Sequence, residues 1–145
     1  QYRLNRLKNK IKNSDDTQPS LTGDVDFMRK IGELEIELKA LEYTELRTLA
    51  AVTVGKAPGP ESSLLKIRGT EIQQRLDELF MEAAGYFSLP YVPNQYTLDS
   101  DPEDHVGFGG DSVSSLIYFN NRKASIYGGS NEIQKNIIAK HVLGL

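Results

Sequence analysis

Between residues 24 and 54 the apolar side chains recur at helical spacing. Phe27, Ile31, Leu34, Leu38, Leu41 and Leu49 follow one another at three, four and eight residues, and Ile36 and Leu46 widen the stripe. A helix this long takes up a large share of a 145-residue chain, and its apolar stripe needs partners along most of its length. Glu33, Glu35, Glu37 and Lys39 fall mainly around the outside, where carboxylates either hold a metal or, more plainly, form a solvated face. The run Gly55-Lys-Ala-Pro-Gly-Pro60 stops the helix, and Pro60 with Glu61 suits the first turn of another.

That second helix is predicted over 60–84, burying Leu64, Ile67, Ile72, Leu76, Leu79, Phe80 and Ala83, with Gly85 closing it. An interior glycine costs about 1 kcal/mol against alanine in an exposed helix, so Gly69 points to a close passage of another helix backbone. A third helix is expected over 112–125 and a last one, after Gly128 and Gly129, to about Val142. No β-period segment of any length appears. Two long antiparallel helices, a loop excursion and two shorter helices give an all-α fold, an antiparallel four-helix-type bundle.

The remaining segments are less regular. Residues 2–12 set Leu4, Leu7 and Ile11 on one stripe among Arg3, Arg6, Lys8, Lys10 and Lys12. This basic run serves either as an anion contact, to a phosphate for instance, or as the last turns of a helix, whose dipole favours cations there. The chain opens Gln1-Tyr2-Arg3-Leu4, without Met or a helix-start signal, so it is expected to be a piece of a longer polypeptide. On that reading 1–12 end a preceding helix, 13–23 form a loop and 24–145 make the main bundle. Residues 86–112 form a long loop whose aromatics, Tyr86, Phe87, Tyr91 and Tyr96, either line a pocket, pin the loop or fill a subunit interface.

Composition removes several function classes. The net charge of −3 argues against nucleic-acid binding. The absence of Cys excludes disulfides and Cys-based zinc sites and favours a reducing, cytoplasmic compartment. No apolar run approaches the roughly 18 to 20 residues needed to span a bilayer. Neither His105, in an acidic loop, nor His141, at a helix end, stands beside a nucleophile pattern.

The chemistry-bearing stretch is the last one, Ile126-Tyr-Gly-Gly-Ser-Asn-Glu-Ile-Gln-Lys135 and the helix it opens. Gly128 and Gly129 interrupt the helix with residues that tolerate positive φ and expose bare backbone. Ser130 is an N-cap candidate, and Glu132 in the first turn agrees with the dipole. The free N–H groups of residues 131–133 face a polar or anionic ligand if one is present. Taken alone, such a corner more often serves structure than binding.

The segment from Asn121 to Ala139 resembles the C-terminal signature of acyl-CoA dehydrogenases: a Tyr, then Glu or Gly, then Gly-Thr/Ser-x-x-Ile-Gln and an apolar helix. The stretches Glu33 to Leu41 and Ser62 to Arg68 resemble the corresponding helices of the same domain, so the likeness covers nearly the whole chain. It implies the C-terminal helical bundle of a flavoprotein that removes hydrogens from the α and β carbons of an acyl-CoA. FAD is the implied cofactor and an electron-transferring flavoprotein the implied electron acceptor. A homo- or hetero-oligomer, typically a tetramer, is the implied assembly. Carried over position by position, Ser130, Asn131 and Glu132 contact FAD, Gly129 lies against the substrate thioester, and Lys140 stands near the CoA-binding mouth.

Two departures from the family pattern shape the expectation. Gly128 occupies the position of the family's C-terminal catalytic Glu, and α-proton abstraction needs a base within about 3 Å or one water. The base is therefore expected on an earlier helix of the same subunit, preceding Gln1; the alternative is a non-catalytic partner subunit. The family's Gln-x-Phe-Gly-Gly-x-Gly motif is not matched, Phe80-Met-Glu-Ala-Ala-Gly-Tyr-Phe87 and the long loop standing in its place, so the resemblance does not carry over that motif's contact to a neighbouring subunit's FAD. Together with Phe119-Asn-Asn-Arg-Lys, the pattern is most similar to bacterial members with separate large and small subunits, such as pimeloyl-CoA dehydrogenase large subunits.

Overall fold

The computed structural model of the protein describes residues 1–13, 21–55, 57, 59–91, 107 and 111–145. Tyr96 and His105, and residues 14–20 of the first expected loop, lie outside them. The described residues are helical, without a strand: α1 (Tyr2–Lys12), α2 (Val25–Thr53), α3 (Glu61–Ala84), α4 (Val113–Asn121) and α5 (Asn131–Ile138), with short 3-10 turns between. The all-α expectation holds, and no described helix is long and apolar enough to cross a membrane. The chain divides into two compact units, residues 1–29 with 74–122 and residues 30–73 with 123–145.

In the first unit, the stripe of α1 is buried at Leu4, Leu7 and Ile11, with Phe27, Leu76, Leu79 and Ala83 also buried. The basic run of α1 has a structural use. Arg3 donates to Asp77, whose side chain is fully buried, and lies over the Phe80 ring at 5.5 Å. Lys10 pairs with the buried Asp111. Asn121 completes the Asp77 carboxylate, its Nδ2 donating to Oδ2 at 2.8 Å. A buried carboxylate is tolerable only when charge and hydrogen bonds meet it from several sides, as here.

The helix expected over 112–125 becomes α4 and a tighter 3-10 turn at Arg122–Ser125. Its physical reason is Gln74, whose Nε2 donates to the carbonyls of Asn121 and Arg122 at 3.3 and 3.2 Å, taking up acceptors freed at the helix end. Arg122 answers by donating to Gln74 O and stacking on Tyr118 at 4.1 Å. Residues 21–23, expected as loop, form one 3-10 turn that leads into α2. There Asp24 Oδ1 accepts the Phe27 N–H at 3.0 Å, a side-chain cap at the predicted helix start.

In the second unit, α2 and α3 run antiparallel. Glu37 stands beside Arg68 and Leu41 beside Gly69, both pairings centred on the turn near residue 54. Ile31, Leu34, Ile67, Ile72 and Ala124 are buried. The predicted stripe is buried only in part, however. Leu38 and Leu41 are half-buried, while Ile36, Leu46 and Leu49 stand 72%, 55% and 54% exposed. Leu64 of α3 is also exposed. Periodicity identifies a face able to pack, but not whether its partner lies in the same chain.

Gly69 corrects a second expectation. A Cβ there would meet only Leu41 Cδ2, at an ordinary 3.9 Å, so among the described residues no other backbone atom comes within 4 Å.

Candidate functional site

The corner before α5 is built from four successive backbone states. After Ser125, Ile126 and Tyr127 both return their N–H to Lys123 O, at 2.9 and 3.1 Å, which ends the 3-10 turn. Gly128 and Gly129 then adopt left-handed φ values of 68° and 86°. Ser130 swings to extended backbone with ψ 158°, and α5 begins at Asn131. Two consecutive left-handed residues are costly for any residue with a Cβ, so both glycines are backbone requirements.

The two glycines differ in what surrounds them. A Cβ on Gly128 would find open space, whereas one on Gly129 would sit 2.6 Å from Gln134 Nε2. That amide donates to Gly128 O at 3.2 Å and ties the corner to the first turn of α5. Ser130 is the N-cap as expected: Oγ accepts the Ile133 N–H at 3.4 Å, and Ser130 O starts the helical ladder to Gln134 N at 3.0 Å.

Glu132 lies in the first turn with its carboxyl held below the ordinary carboxylate range. Its own backbone N–H is the largest cause, then the Ser130 hydroxyl, with the charges of Lys135 and Lys66 adding to it. It is therefore ionised at neutral pH and supplies a hydrogen-bond acceptor at a helix end that otherwise offers donors. The corner is thus unlike a bare phosphate cradle. It suits a ligand edge that carries both hydroxyl donors and carbonyl-type acceptors.

Asn131 is engaged from α3. Lys66 Nζ donates to Asn131 Oδ1 at 2.9 Å and to Ser125 O at 3.3 Å. Thr70, one turn further along α3, places Oγ1 at 3.4 Å from the same amide oxygen and gives its own hydrogen to Ile67 O at 2.9 Å. Neither the Asn131 backbone N–H nor its Nδ2 meets a protein acceptor among the described residues.

Of the residues singled out from the sequence, Gly128, Gly129, Ser130, Asn131 and Glu132 thus form one continuous corner. Lys140 is elsewhere. It lies nine residues beyond Asn131, about 13 Å along the helix, and is exposed in a π-helical turn, Ala139–Leu143, that extends α5 to the expected end. His141 shares that turn and is exposed. Tyr86 and Tyr91 stand 88% and 72% exposed. Sequence reasoning missed Lys66 and Thr70, which lie 65 and 61 residues from the amide they face, although it predicted the helix that carries them. Gln134 was visible as part of the signature, without a role.

Comparison with known proteins identifies the family. The family described as acyl-CoA dehydrogenase, C-terminal domain, matches residues 5–143. A protein named acyl-CoA dehydrogenase IpdE1 from Mycolicibacterium smegmatis is 31% identical over 100 residues, covering 69% of this chain and 22% of that protein. Its namesake from Mycobacterium tuberculosis is 29% identical over 109 residues, 71% of this chain and 24% of that protein. The matched stretch is therefore less than a quarter of the length of either relative. No solved structure matches the chain. With the family spanning nearly every residue, and its signature folded into a glycine corner that opens a capped helix, the chain belongs to the acyl-CoA dehydrogenase C-terminal domain family.

Proposed function

We propose that this chain is the C-terminal helical domain of a longer FAD-dependent enzyme that dehydrogenates an acyl-CoA thioester between its α and β carbons. The observation that carries the reading is the corner from Gly128 to Glu132. Two left-handed glycines present bare backbone, a capped helix follows, and Asn131 keeps N–H donors without a protein acceptor among the described residues. These residues fit a flavin dinucleotide: Asn131 offers donors to its carbonyl-type oxygens, and the ionised Glu132 accepts from its hydroxyl groups. FAD, when bound, supplies the acceptor for the β-hydrogen, which leaves as hydride.

The protein's part is orientation. Gly129 lies against the thioester, where a side chain would keep the substrate from the backbone, and Ser130 holds the first turn of α5 in register. Gly128 offers no proton acceptor, and its φ of 68° disfavours any residue that would. The base that takes the α-proton stands on an earlier helix, outside this chain. The exposed apolar side chains of α2 and α5, Ile36, Leu46, Ile133 and Ile137 among them, support cover by the rest of the enzyme or by further subunits of a tetramer. An electron-transferring flavoprotein takes the electrons onward, and the cytoplasm is the compartment.

Gly128 equally favours one second reading, a non-catalytic subunit paired with an active one. Anaerobic mixing of the full-length protein with a saturated acyl-CoA separates them. A catalytic subunit bleaches its flavin and forms one enoyl-CoA per flavin; a silent one keeps its colour until its partner is added. The isolated 145-residue chain is expected neither to retain FAD nor to dehydrogenate acyl-CoA. Turnover by that chain, or a colourless full-length protein, would count against the proposal.

A further inference from the structure

We infer that Lys66 is a positioning residue for the cofactor corner: it sets which end of the Asn131 amide faces the ligand. This rests on the flavin reading above. An asparagine side chain offers a carbonyl oxygen and an NH2 that are nearly equal in shape, so its orientation is decided by its neighbours. The Lys66 ammonium has only donors, and it lies 2.9 Å from the Asn131 oxygen. The reverse orientation would set NH2 against NH3⁺. Thr70 cannot decide the matter, because its hydrogen is committed to Ile67 O and its oxygen stands at 3.4 Å.

The consequence is chemical. With the oxygen held toward α3, the corner presents the Nδ2 hydrogens and the Asn131 backbone N–H, a pair of donors matched to an acceptor-bearing edge of a ligand. The same ammonium holds Ser125 O at 3.3 Å, so one side chain fixes both the entry to the glycine corner and the first residue of α5. Its charge also helps to keep Glu132 ionised, although less than the backbone N–H and the Ser130 hydroxyl.

The test is a double-mutant cycle in the full-length apoprotein, with Lys66→Met and Asn131→Ala made singly and together, read by FAD reconstitution and by thermal melting. Lys66→Met is expected to weaken FAD binding roughly tenfold in the native background and by less than about threefold once Asn131 is Ala. Lys66→Arg, which keeps the charge and donors, is expected to restore most of the affinity. A Lys66 that merely braced Ser125 would cost the same in both backgrounds, and that additivity, in binding and in melting, would overturn the inference. Native protein that binds no FAD, with Lys66 and Asn131 still coupled in the melt, would refute the flavin reading while supporting the clamp.

Discussion

Two polar clusters of this molecule use similar residues to opposite ends. Around Asp77, a buried carboxylate is met by Arg3 on one oxygen and Asn121 on the other, and Asn121 spends an amide hydrogen inward. Around Asn131, a half-buried amide is met by Lys66 on its oxygen, and its hydrogens are left without a protein partner among the described residues. The first arrangement is closed: every element added to it completes a buried charge. The second is open: the protein satisfies one half of the group and withholds the other. In the first cluster asparagine supports stability, and in the second, on the flavin reading proposed above, it serves recognition.

The sharpest way to break this contrast is at the closed cluster. Asp77→Ala removes a fully buried carboxylate and strands the partners that met it, and should cost about 3 kcal/mol in urea unfolding. A cost under about 0.5 kcal/mol would mean that the network is not holding the fold. At the open corner the largest stability effect should come from the backbone. Gly128→Ala has room for its Cβ but must hold a left-handed φ, and should destabilise by about 1 to 2 kcal/mol. Gly128→Glu should carry the same strain and add no dehydrogenation; a gain in turnover would show that the corner can support a base.

Gly69→Ala should go the other way. It replaces a helical glycine whose Cβ position lies at ordinary contact distance from Leu41, and should stabilise by up to about 1 kcal/mol. A loss instead would restore the close helix crossing expected from the sequence. The smallest effect concerns Glu132. Its folded-state pKa lies below the ordinary 4.5, so its contribution is present above that value and lost as pH falls through the depressed one. Glu132→Gln should therefore flatten slightly the fall of the melting temperature between about pH 6 and pH 3.

Much of this organisation was legible in the residues. The Phe27, Ile31, Leu34 spacing marks the start of α2, and Gly128-Gly-Ser-Asn-Glu marks the corner with its cap. What was not legible is non-local. Leu46 and Leu49 carry the same periodicity as Leu34, yet stand exposed, because a pattern along one helix is silent about what covers it. Arg3 and Lys10 read as an anion contact or a helix end, and their actual use depends on aspartates in α3 and just before α4, far along the chain. Lys66 has no local relation to Asn131 that spacing could reveal.

The most direct measurement is a structure of the flavin-loaded full-length protein, read at Asn131. A polar atom of the cofactor within about 3.2 Å of Asn131 Nδ2, with Lys66 still on Oδ1, is the expected result. A flavin bound elsewhere would contradict the central claim that this corner is the cofactor's, and an Asn131 amide turned with its nitrogen toward Lys66 would contradict the clamp.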